Sequence, residues 1–134
     1  DNQAWLDYIH YYNYDPENKK HLNNADFIIY DKAVEILNDG ILGFQEYQIF
    51  YSETLSKSKT LSNCKKAKTL LEASRNKYTE VLNFLEGRKA FSSEANDNLI
   101  EMRTNARNAL VVIKDHMEYI SRLQKSVTAS KGKN

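Results

Sequence analysis

Little in this chain punctuates or cross-links it. A single cysteine, Cys64, excludes an intrachain disulfide. One proline and four glycines in 134 residues are too few turn formers for a sheet protein built on many tight turns. Apolar runs are short: Ala109–Ile113 is among the longest, against the roughly 18–20 residues that a membrane-crossing helix needs. No Gly-x-Gly-x-x-Gly, Gly-x-x-x-x-Gly-Lys-Ser/Thr or His-Glu-x-x-His occurs, so no nucleotide or zinc-protease signature is present. The 14 asparagines include no Asn-x-Ser/Thr, so glycosylation offers no sign of export. Glu-x-x-His, which a di-iron helical bundle needs on two helices, is absent. Asp7-x-x-His10 is the nearest approach, and the pattern predicts neither a metal site nor a cofactor. His116, between Asp115 and Glu118, reads as a partly exposed helix residue.

What remains is a polar, aromatic-containing chain of single-domain size. Apolar residues make up 41% and aromatics 11%, which suits helices that bury one stripe each and argues against disorder. The net charge of +1 hides an uneven distribution. Residues 1–58 carry −6, and residues 59–134 carry +7. Acids interrupt the basic half throughout, so the expected consequence is attraction between the two halves rather than a nucleic-acid tail. Lys59, Lys65, Lys66 and Lys68 oppose a helix dipole and lack interleaved aromatics, so no nucleic-acid partner is expected there.

Hydrophobic spacing supplies the fold class. From Asp26 to Ser56 the residues Tyr30, Ala33, Leu37, Gly40, Phe44, Tyr47 and Tyr51 recur in strict 3-4 alternation, which predicts one long helix over about 24–57. Asn38-Asp39-Gly40 is a turn signal, but the seam passes through it without a slip. A polar break at 56–60 follows, and Ser62 is the expected cap of a helix over 63–86. That helix has the seam Cys64, Ala67, Leu71, Ser74, Tyr78, Val81 and Leu85, and Gly87 follows where it should stop. Ser92 or Ser93 would cap a third helix with the stripe Leu99, Met102, Ala106, Leu110, Ile113, Met117, Ile120 and Leu123. A frayed tail is expected from Thr128. Ahead of these, Asn2–Tyr14 forms a short helix candidate, ended by Asp15-Pro16. The expectation is an all-α single domain over 1–134. It would be an elongated antiparallel bundle of three long helices plus a short aromatic N-terminal helix, with the acidic helix 26–56 at its centre.

Function has to be read from surfaces. Trp5, Tyr8, Tyr11 and Tyr12 crowd a helix too short to bury all its sides, and such side chains anchor interfaces. They are the expected binding residues of a non-catalytic protein-interaction module, with no catalytic residues. Its partner would be a protein, and homodimer formation is left open. Cys64 lies on a seam and reads as a buried, inert thiol. The start at Asp1, without Met, suggests a removed leader or a trimmed end, hence an exported or cell-envelope, extracytoplasmic protein. The alternative is a small-molecule-sensing bundle with a ligand cavity between helices near Gly40 and Gly43.

Overall fold

The computed structural model describes residues 24–90 and 93–132. The expected N-terminal helix, with its four aromatic binding residues, lies outside them. Three helices pack against one another: α1 (Asn24–Phe50), α2 (Leu61–Leu85) and α3 (Ser93–Gly132). No strand occurs among the described residues.

The 3-4 spacing explains each helix and the face it buries. On α1, Tyr30, Ala33, Leu37, Gly40, Phe44 and Tyr47 are buried, and the helix runs unbroken through Asn38-Asp39-Gly40. Every residue of the α2 seam, Cys64 through Leu85, is buried. Thr60 rather than Ser62 caps α2: its backbone is extended (φ −107°, ψ 161°), and its Oγ1 accepts from the Asn63 N–H at 3.1 Å. The cap sits two residues earlier because Leu61 and Ser62 already belong to the helix. At the other end Gly87 adopts φ +73°, which stops the helix at low cost. Arg103 of α3 donates to the carbonyls of Leu85 (3.2 Å) and Arg88 (2.7 Å), satisfying acceptors at that end.

Three features depart from the expected pattern. After Phe50 the chain makes a π-helical turn, Tyr51–Leu55, closed by Ser56 N–H to Tyr51 O at 2.9 Å. A strict seam would next bury Thr54. The extra residue of the π turn brings Leu55 into the core instead, fully buried. On α3 the buried line runs through Ala109 and His116, while Leu110 and Met117 are only half-buried. α3 also continues to Gly132, through the stretch expected to fray, with Thr128 Oγ1 donating to the Gln124 carbonyl at 2.9 Å.

α2, not α1, is the middle helix. It packs along both of the others, whereas α1 and α3 touch over a shorter stretch. Short connections at 56–60 and 86–92 make α2 the sequence neighbour of both helices, and adjacency in sequence becomes adjacency in space. Lys66 lies over Phe50 and the Ser74 hydroxyl reaches Gly40, so α1 and α2 run in opposite directions.

Gly40 and Gly43 set how closely those two helices approach. A Cβ on Gly40 would lie 3.1 Å from the Tyr78 ring, and one on Gly43 would lie 3.3 Å from the Cα of Ser74. The Ser74 hydroxyl donates to the Gly40 carbonyl at 2.7 Å across this contact. The place expected to hold a ligand is therefore filled by α2, which corrects the alternative reading of these glycines. Replacing Gly40 with Leu should destabilise the fold. The helix-propensity gain of about 1 kcal/mol is outweighed by an overpacking cost of about 1–3 kcal/mol. Urea unfolding checks this, and a raised midpoint for the variant would contradict the close approach.

Candidate functional site

Polar chemistry is buried where α1 meets α3. His116 is 2% exposed, and its Nδ1 shares a 2.9 Å hydrogen bond with the fully buried Tyr47 hydroxyl. Phe44 and Tyr47 each meet the imidazole edge-on, at 5.6 and 5.3 Å between centroids. One turn on, the hydroxyls of Tyr51 and Tyr119 lie 3.3 Å apart. Burial lowers the His116 pKa from 6.5 to about 4, with Asp115 acting weakly in the opposite direction. Burial also pushes the Tyr47 hydroxyl up. At neutral pH both are uncharged partners in a core, and the reading of His116 as partly exposed is overturned. Sequence reasoning missed it by following apolar residues alone. The 3-4 count from Ile113 falls on His116.

Cys64 is fully buried, and its surroundings push the thiol up, with Lys68 opposing. The lysines near the start of α2 have separate fates. Lys66 lies 4.9 Å from the centroid of the Phe50 ring, whose negative face accounts for a cation at that end. Lys65 is exposed, and Lys68 faces the feature described next. The ion pairs Lys32–Glu35 and Lys77–Glu80 each lie within one helix, so neither joins the acidic half of the chain to the basic half.

Open volume lies between α2 and α3. Two hollows of about 650 and 620 Å³ share Ser121 and Lys125 and form one groove. Leu110 and Met117 supply its apolar floor. Arg75 and Thr79 line it from α2; Lys114, Arg122 and Lys125 line it from α3. Lys68 stands at one end, and Glu118 is the acid among the lining residues. The Arg75 guanidinium Nη1 lies 3.7 Å from the Met117 sulfur, so the side chain reaches across the floor. Among the described residues no carboxylate pairs with Arg75, Lys114, Arg122 or Lys125. The sequence displays these residues, but the helical stripe of α3 counts Leu110 and Met117 as core. Only the packing shows that the buried line passes beside them and leaves them half-open with cations around them.

Comparison with protein-family models, with curated proteins and with solved structures finds no match. No helix among the described residues is long and apolar enough to cross a membrane.

Proposed function

We propose that this protein is a non-catalytic helical interaction module whose α2–α3 groove takes an acidic, amphipathic helix from a protein partner. The observation that carries this reading is the groove itself, with an apolar floor and, on both walls, cations that no described carboxylate pairs. A helix with carboxylates flanking one apolar stripe matches both features at once. The absence of any aromatic residue among the described lining side chains favours a peptide over single-stranded nucleic acid, whose bases want stacking surfaces. The sealed Cys64 supports a binding role over a catalytic one. The finer architecture belongs to the same proposal: an elongated antiparallel bundle, with residues 2–14 added as a short aromatic helix. Trp5, Tyr8, Tyr11 and Tyr12 offer a second contact surface, supported by their residue types alone.

Fluorescence anisotropy tests the groove. A labelled acidic amphipathic peptide is titrated with the wild-type protein and with a variant carrying Arg122→Glu and Lys125→Glu. Reversing two rim charges should weaken binding by about tenfold or more, equivalent to about 1.4 kcal/mol. Added salt should weaken the wild-type complex. Equal binding by both proteins, or tighter binding of an oligonucleotide than of the peptide, would contradict the reading.

A further inference from the structure

The outer face of α1 carries an unexplained apolar line. Ile28, Leu42 and Ile49 are 68%, 56% and 55% exposed. They fall at multiples of seven residues, on the side of α1 opposite its buried seam. Around Leu42 and Ile49 stand Asp39, Glu46 and Glu53, themselves seven residues apart and exposed. Two copies meeting through this face alone would bring like charges together, so the face is not complementary to itself.

It is complementary to the groove. We infer that the acidic partner helix is α1 of a second copy of this chain, laid by its outer face into the α2–α3 groove as a fourth helix. This inference rests on the groove reading above and names its occupant. Leu42 and Ile49 are seven residues apart, as are Leu110 and Met117 on the groove floor, so each pair spans about 10 Å along its helix. Lys68 and Arg75 on the α2 wall repeat at the same interval as Glu46 and Glu53. One register therefore sets apolar residues against the apolar floor and carboxylates against cations. The uneven charge of the chain, acidic in α1 and basic in α2 and α3, acquires a use between molecules.

The contact joins two different surfaces, which makes it testable by complementation. A ridge variant (Leu42→Ser, Ile49→Ser, Glu46→Lys) keeps its groove, and a groove variant (Arg122→Glu, Lys125→Glu) keeps its ridge. All five positions are exposed, and circular dichroism verifies that both variants fold. By sedimentation velocity over a concentration series, the wild type should self-associate and lose that association as salt is raised. Each variant alone should stay monomeric, and an equimolar mixture should form a one-to-one heterodimer. A monomeric wild type, or a variant that associates as the wild type does, overturns the inference. If the wild type stays monomeric yet still binds the acidic peptide, the groove reading stands and only the self-partner falls. Loss of peptide binding as well would remove both.

Discussion

Lowering the pH from 7 to 4 is expected to weaken this bundle by about 3 kcal/mol through His116 alone. The folded protein holds this imidazole neutral, with a pKa near 4 against an ordinary 6.5. The folded pKa is depressed, so the stability it contributes is present above 6.5 and is lost as pH falls through the window toward 4. There the unfolded chain binds a proton that the folded chain resists, and stability rises with pH. The 2.9 Å bond to Tyr47 does not rescue the charged form. The phenol oxygen can accept from the imidazolium, but the cation still sits among Phe44, Tyr47 and neighbouring core atoms with little water. Among the described residues, Tyr47, whose hydroxyl burial pushes up, and Asp115, whose effect is smaller than that of burial, act beside the imidazole. A double variant, Tyr47→Phe with His116→Phe, removes both polar partners while keeping ring-sized volume, and such paired replacement can be close to neutral at pH 7. Denaturant unfolding of both proteins at pH 7 and pH 4 isolates the histidine. The wild type should lose about 3 kcal/mol more than the variant. Equal losses would place the imidazole in water.

Replacing Phe44 with Ala should cost about 3–5 kcal/mol, a large part of the roughly 5–15 kcal/mol that holds a domain of ordinary stability. Phe44 is fully buried on α1, and its ring lies 5.4 Å from Tyr47 and 5.6 Å from His116. Truncation removes the transfer energy of the ring and leaves a cavity lined by two other rings that cannot easily collapse into it. Phe44→Leu keeps most of the volume and should cost less than about 1.5 kcal/mol. The same substitution links packing to charge. A cavity beside His116 admits water, raises its pKa toward 6.5 and flattens the acid sensitivity described above. Chemical denaturation of Phe44→Ala at neutral and acidic pH reads both effects. A loss below about 1 kcal/mol would show that the α1–α3 contact is not tightly packed.

Much of the fold was legible in the sequence because two strict 3-4 seams and a third, less regular apolar stripe leave few alternatives to three packed helices. The α2 seam, from Cys64 to Leu85, is buried at every position, and α1 runs straight through a turn signal whose phase it preserves. Four features were not legible, and each has a physical reason. His116 was hidden because a polar residue in a seam does not look apolar, and its hydrogen bond to Tyr47 offsets part of the cost of burying it. The π turn was hidden because Thr54 fits the spacing while Leu55 fits the chemistry. Thr60 was passed over as a cap because Ser62, two residues later, has equally suitable chemistry. The middle position of α2 follows from packing that a charge pattern does not predict. As for the candidate site, the basic residues of the groove were visible one by one. Their convergence around Leu110 and Met117 depends on the relative rotation of two helices, which no single stripe encodes.

The central claim is that the α2–α3 groove is where this protein meets its partner. A two-dimensional ¹H–¹⁵N NMR titration with the acidic amphipathic peptide tests it most directly. The account predicts that the amides shifting with added peptide cluster at Arg75, Leu110, Lys114, Met117, Arg122 and Lys125. Shifts gathered instead around Trp5, Tyr8, Tyr11 and Tyr12, with the groove residues unmoved, would contradict it.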